Sequence, residues 1–157
     1  MNKLELLEQE AYDDRVKIHN FYLGEENLKG LYIDGNVAIN TSVNSSSEKA
    51  CVLAEELGHH YTSSGDILDL SVAQNRKQER QARIWAYNKQ IGLNGLINAY
   101  EHGCRNRHEI AEYLEVTETF LEEAVNCYHE KYGTFTRIDN YVIYFEPLGI
   151  LSLKEIA

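Results

Sequence analysis

The sequence predicts an α+β fold, a single mainly helical domain with a small antiparallel sheet. Short β-prone runs flank Asp34-Gly35-Asn36, a composition typical of a tight hairpin. A second pair of β-prone runs flanks Asp139-Asn140, and we expect that hairpin to end at Pro147. Between the hairpins, apolar residues recur at helical spacing. Sheet pieces at both ends of a helical middle are typical of an α+β domain.

The segment before the first hairpin is predicted to be helical. Residues 3–23 carry Leu4, Leu7, Ala11 and Ile18 at helical intervals. This pattern indicates one or two helices.

Two long helices are expected after the first hairpin. Ser45, with Glu48 three residues later, is typical of a capping box that opens a helix. We expect this helix to run to about Thr62 and to end near Gly65. A second long helix is expected over about residues 72–91.

Three shorter helices are expected near residues 93–102, 106–114 and 117–132. The last two resemble a helix-turn-helix arm, at about residues 104–132, packed within a single domain of residues 1–157. A helix that recognises bases in a groove of DNA would carry Arg, Lys, Asn or Gln. The second helix of the arm instead carries acidic residues: Glu118, Glu122, Glu123 and Glu130. We interpret the arm as a packing or protein-recognition element.

Composition narrows the class of protein. The formal net charge of −10 disfavours direct nucleic-acid binding. No apolar run approaches the roughly 20 residues of a membrane span, so no membrane partner is expected. Cys51, Cys104 and Cys127 are widely spaced and odd in number, which indicates a reducing compartment. The acidic N-terminus is unlike a signal peptide, so we expect a cytoplasmic protein.

The first predicted long helix carries an E-x-x-H motif. In H-E-x-x-H, two His one turn apart bind a metal and the intervening Glu activates water. Here Glu56-Leu57-Gly58-His59 supplies E-x-x-H, and Glu55 stands where the first His is expected.

Helical periodicity separates the faces of this helix. An apolar stripe that includes Leu53 and Leu57 forms one face. Glu55 and His59 lie one turn apart on the opposite face, with Glu56 between the two faces. This favours Glu55 and His59 as ligands over the alternative pair, Glu56 and His60. Taken alone, residues 53–60 are equally compatible with a solvent-exposed helix face that is stabilised by i,i+4 pairs.

Glu79, 20 residues after His59, favours the metal interpretation. It lies in line with an alanine stripe, Ala82 and Ala86, and so is expected to face packed protein, where an unpaired charge is costly. A metal ion would be a suitable partner. The alternative is an ion pair with Arg76 or Arg83.

The ordered set of motifs resembles the ImmA/IrrE family of metallopeptidases, which are gluzincin-like proteins of phages and mobile elements. The set comprises the Asp34-Gly35-Asn36 hairpin, the 54–59 motif, the 75–79 segment and the closing 141–147 segment. The resemblance covers nearly the whole chain. It implies a zincin-like domain with an H-E-x-x-H-type active helix.

The resemblance also implies site roles. Glu55, His59 and Glu79 would bind the metal, and Glu56 would be the general base. A carboxylate at Glu55 is an allowed Zn²⁺ ligand, although two carboxylates shift the preference of the site towards Mn²⁺. His60, Tyr61 and Tyr87 are candidates for a secondary, oxyanion-stabilising role.

The sequence is compatible with two functions. The resemblance implies a metal-dependent endopeptidase that cleaves a repressor protein of a phage or mobile element. The alternative is a weakly active or inactive relative that binds and sequesters a repressor.

Overall fold

A computed structural model describes residues 1–24, 28–63 and 72–155, without the side chains of 72–74 and 155. Within these ranges the structure confirms an α+β protein. It divides into two compact units, residues 1–90 and 91–157. Gly65, where the first long helix was expected to end, lies outside the described residues. No helix in these ranges combines the length and apolar character that a membrane crossing requires.

The described part of the first unit contains three α-helices and a small three-stranded sheet. Its elements, in chain order, are α1 (Lys3–Asp13), β1 (Lys17–Phe21), β2 (Gly30–Ile33), β3 (Asn36–Asn40), α2 (Ser46–Thr62) and α3 (Val72–Gln90). The strand order is β1-β3-β2. Its core includes buried apolar residues from α1, β3, α2 and α3: Leu7, Ala11, Val37, Ile39, Leu53, Leu57, Ala82 and Ala86.

The predicted Asp-Gly hairpin is confirmed. Ile33 pairs with Asn36 across a two-residue turn. Asp34 and Gly35 in that turn have φ values of 45° and 77°. Two consecutive positive φ values are typical of the turn that matches the twist of antiparallel strands.

Two expectations for the first unit were wrong. Helix was expected through residue 23, but α1 ends at Asp13 and residues 17–21 form β1. Arg15, with a φ of 62°, breaks the helix. The sheet is mixed rather than antiparallel, because β1 pairs with β3 in parallel. A parallel partner lies far along the chain and leaves no local hairpin signal.

The described part of the second unit contains three α-helices, a short 3-10 helix and an antiparallel sheet. Its elements are α4 (Gly92–His102), α5 (Arg107–Leu114), α6 (Glu118–Tyr132), β4 (Phe135–Ile138), β5 (Tyr141–Phe145), β6 (Leu148–Ser152) and a short 3-10 helix (Leu153–Glu155). The helices lie within a residue or two of their predicted bounds. Pro147 was expected to end the sheet, but it lies in a two-residue turn, and the chain returns as β6. The glycine in Leu148–Ser152 weakens the strand signal.

The helix pair α2 and α3 packs at unusually short range. A Cβ added to Gly58 would lie 2.9 Å from the carbonyl carbon of Ala82 and closer still to its oxygen. Ala82 is itself fully buried. Only glycine at position 58 lets the two backbones approach this closely.

We predict that Gly58→Ala destabilises the protein by about 1–3 kcal/mol, the usual cost of overpacking, because backbone atoms cannot move aside as a side chain could. Chemical denaturation measures the change. Gly95→Ala is the matched control, since Gly95 lies inside α4 and its Cβ would meet Leu114 at an ordinary 3.5 Å. The control should be neutral or gain about 0.5–1 kcal/mol. Equal stability of the two variants would contradict the close approach.

Candidate metallopeptidase site

The helix α2 carries most of the candidate site. The Ser45 hydroxyl oxygen accepts the Glu48 N–H at 3.0 Å, so the predicted N-cap is present. The apolar stripe of the helix is buried, including Leu53 and Leu57, both fully inaccessible. Burial of this stripe fixes the rotation of α2 and leaves its acidic and histidine residues half-buried.

Close packing of α2 on α3 brings Glu79 to His59. His59 Nε2 lies 3.0 Å from Glu79 Oε1. The sequence spacing predicted this proximity. Glu79 is less buried than expected, because its side chain is 54% exposed whereas that of His59 is 13% exposed.

Glu79 also contacts the arginine considered as its alternative partner. Arg83 Nε lies 4.0 Å from Glu79 Oε2, one turn along α3, and both side chains are more than half exposed. Pairs of this kind contribute little stability. The two oxygens of Glu79 thus face different partners, and the arginine pair does not displace the contact with His59.

The His59–Glu79 contact changes the pKa values of both groups in opposite directions. The hydrogen bond to Glu79 raises the pKa of His59, against burial, which lowers it. The same hydrogen bond lowers the pKa of Glu79. Both shifts favour an imidazolium–carboxylate pair. His59 Nδ1 is buried and has no hydrogen-bond partner among the described residues.

Glu56 lies beneath the first strand of the hairpin. A Cβ at Gly30, the first residue of β2, would lie 3.0 Å from Glu56 Oε1 and 2.7 Å from Val52 Cγ1. Glycine at position 30 therefore makes room for the Glu56 side chain. Sequence reasoning missed Gly30, because its role depends on strand placement rather than on any local pattern.

The environment of Glu56 stabilises its protonated form. Burial raises the pKa of Glu56 from 4.5 to about 7, with smaller raising effects from Glu55 and Glu79 and an opposing effect from His59. Desolvation is the main cause, because a carboxylate loses hydration beneath the strand. The carboxyl group therefore changes protonation near neutral pH.

The predicted metal ligands are only partly brought together. His59 and Glu79 are in contact, and half-buried Glu55 precedes His59 by one turn of α2. Across residues 1–24, 28–63 and 72–155, however, no three His, Cys, Asp or Glu side chains form a ready-made ion site. One imidazole and two carboxylates suit zinc chemically. If His59 bound a metal ion through Nε2, that atom would have to give up its contact with Glu79.

The candidate secondary residues have other contacts. His60 Nδ1 lies 2.6 Å from the Tyr32 hydroxyl of β2. The Tyr61 hydroxyl donates to Asp14, and its ring stacks on Trp85. Tyr87 is buried in α3. An oxyanion-stabilising role for any of them stays a prediction.

Comparison with known proteins gives one family. The model of the family Peptidase_M78, described as the IrrE N-terminal-like domain, matches residues 13–126. No curated protein and no solved structure matches the chain. The matched region includes β1 to β3 and the whole α2–α3 pair, and it covers well over half of the sequence. The chain therefore belongs to the Peptidase_M78 family of ImmA/IrrE-type proteins.

Proposed function

We propose that the protein is a zinc-type metallo-endopeptidase in which Glu56 is the general base. The family supports a metallopeptidase-type function and implies a metal cofactor. The observation that carries the assignment of Glu56 is its burial beneath Gly30, near the His59–Glu79 pair. The zinc site, the substrate and the cytoplasmic location belong to this proposal.

Glu56 is suited to move a proton in both directions. A general base works best when its pKa lies close to the working pH. In the metal-free protein the pKa of Glu56 is about 7, and a bound cation would lower it towards the carboxylate form that takes a proton from the attacking water. The protonated carboxyl group would then deliver that proton to the leaving amine.

Glu55, His59 and Glu79 are the residues that we propose hold the ion. When bound, Zn²⁺ would supply a Lewis acid that polarises water and the scissile carbonyl. Glu55 supplies a carboxylate where the family motif has His, so the site would carry more negative charge. That charge favours harder ions, and Mn²⁺ is therefore the second candidate.

The edge of the first sheet supports an extended peptide as substrate. Within the described part of the chain, β2 pairs with β3 alone, so its other side has no strand partner. Gly30 of β2 lies against Glu56, while Leu31 and Ile33 are 38% and 58% exposed. A peptide that adds to this edge as a strand would place its backbone near Glu56. By resemblance, the protein that supplies this peptide would be a repressor.

One observation favours a second function. The His59 Nε2 contact with Glu79 occupies an atom that a metal would need. A relative that keeps this contact would bind and sequester the repressor without cleaving it. Incubation of the protein and Zn²⁺ or Mn²⁺ with a candidate repressor distinguishes the two functions. Chelator-sensitive fragments support cleavage, whereas a stable complex without fragments supports sequestration.

We expect Glu56→Gln to reduce cleavage by about 10²–10⁴-fold, because the amide cannot accept the proton of water. The rate of fragment formation from the repressor measures the effect. Glu48→Gln is the control, since Glu48 lies in the first turn of the same helix and pairs with Lys29. Parent-level cleavage by Glu56→Gln would rule out Glu56 as the base.

The same substitution should stabilise the chelator-treated protein at high pH. The folded-state pKa of Glu56, about 7, exceeds its ordinary value of 4.5. Protonated Glu56 therefore costs the folded protein no stability below pH 4.5. The free energy of unfolding falls as the pH rises from 4.5 through 7, because the unfolded chain ionises at a lower pH than the folded protein. Relative to the parent, Glu56→Gln should gain on the order of 2 kcal/mol between pH 5 and pH 8. Denaturant titrations at both pH values measure the gain, and a pH-independent difference would contradict the desolvation of Glu56.

Metal should stabilise the folded protein through the α2–α3 pair. Zn²⁺ at 100 times its dissociation constant should add about 2.7 kcal/mol to the unfolding free energy. Thermal melts with and without chelator, together with elemental analysis, test this effect. His59→Ala should abolish the shift in thermal midpoint.

The matched control for metal binding is His108→Ala. His108 is an exposed histidine of the second unit that also contacts carboxylates, Glu112 and Glu118. Its loss should leave the metal-induced shift intact. Glu55→His, which restores the family residue, should strengthen Zn²⁺ binding. The proposed site would be refuted if metal still raised the thermal midpoint of His59→Ala but no longer raised that of His108→Ala.

A further inference from the structure

A cavity that is open to solvent lies between the helices of the first unit. It has a volume of about 480 Å³, and α1, α2 and α3 all contribute to its wall. This volume is within the range of small-ligand sites. The lining residues are Glu10, Asp14, Tyr61, Trp85, Asn88 and Lys89. The cavity shares none of them with the proposed catalytic base and metal ligands.

One wall of the cavity is aromatic. The rings of Tyr61 and Trp85 stack with their centroids 5.0 Å apart and an angle of 26° between their planes. Tyr61 is 39% exposed, so the stacked pair reaches solvent. Its hydroxyl donates to the Asp14 carboxylate, which holds that carboxylate at the edge of the aromatic wall.

The charged side chains leave the cavity negative. Lys89 Nζ lies 2.8 Å from Glu10 Oε2, so one carboxylate has a cationic partner. Asp14 accepts from a neutral hydroxyl, and this contact does not neutralise its charge. Two carboxylates therefore face a single ammonium group.

We propose that this cavity binds the guanidinium group of an arginine side chain in a peptide or protein partner. A planar guanidinium can stack on an aromatic ring while it donates hydrogen bonds to a carboxylate. The stacked Tyr61–Trp85 wall and the Asp14 carboxylate offer these two contacts side by side. The net charge of −10 draws cationic partners to the protein. This assignment does not depend on peptidase activity.

The cavity contains its own spectroscopic probe, because Trp85 is the single tryptophan of the chain. Tryptophan fluorescence is titrated with N-acetyl-arginine amide at constant ionic strength. N-acetyl-citrulline amide is the control ligand, since it has a similar shape and no charge. We expect a saturable change with the arginine ligand and at least about threefold weaker binding of the citrulline ligand. Equal affinities, or no saturable change with arginine, would overturn the proposal.

Free arginine distinguishes a peptide ligand from the amino acid itself. Glu10 and Asp14 would repel its α-carboxylate and attract its α-ammonium group, so it should bind no more tightly than the blocked amide. Tighter binding of free arginine would overturn the assignment to a peptide or protein side chain.

Two single substitutions should shift the affinity in opposite directions. Lys89→Gln removes the ammonium group that competes for Glu10, and it should tighten binding of the arginine ligand about two- to fivefold. Glu10→Gln leaves Lys89 without its carboxylate, and it should weaken binding by a similar factor. Both variants retain Trp85, and their thermal midpoints verify folding. Shifts in the same direction, or no shift in either variant, would overturn the role of charge complementarity.

Discussion

The close contact of α2 with α3 is the constraint on which the candidate site depends. At Gly58 the backbone of α2 lies so close to Ala82 of α3 that no side chain fits between the two helices. This contact sets the distance between His59 on one helix and Glu79 on the other. Because the ion pair bridges two helices, any change in helix packing also changes the electrostatics of the site. A structural glycine and the proposed chemistry are therefore coupled.

The same packing concentrates negative charge where hydration is poor. Glu56 lies beneath β2, and the negative charges of Glu55 and Glu79 disfavour its ionised form further, which raises its pKa. His59 offsets part of this charge through its bond to Glu79. A bound cation would offset the remainder. The metal-free protein consequently retains an unfavourable electrostatic energy that a correctly ligated ion would relieve.

Much of this arrangement could be predicted from the sequence. Helical periodicity placed Glu55 and His59 together, and the alanine stripe of α3 indicated that Glu79 would approach α2. Both are properties of residues on regular helices, where spacing determines direction. The strand β1 and the role of Gly30 could not be predicted, because parallel pairing and the covering of Glu56 depend on contacts between distant segments. For the same reason, periodicity alone could not indicate how strongly Glu56 is desolvated.

The desolvated carboxyl group of Glu56 has an evolutionary consequence. Most substitutions destabilise a protein, and selection removes those that fall below the stability needed for function. A neutral residue at position 56 would end the proton transfer that we propose, but it would also remove a source of instability. Loss of catalysis by this route is therefore favourable for folding. Under the proposed mechanism, the acid at position 56 therefore lowers stability while it supplies activity.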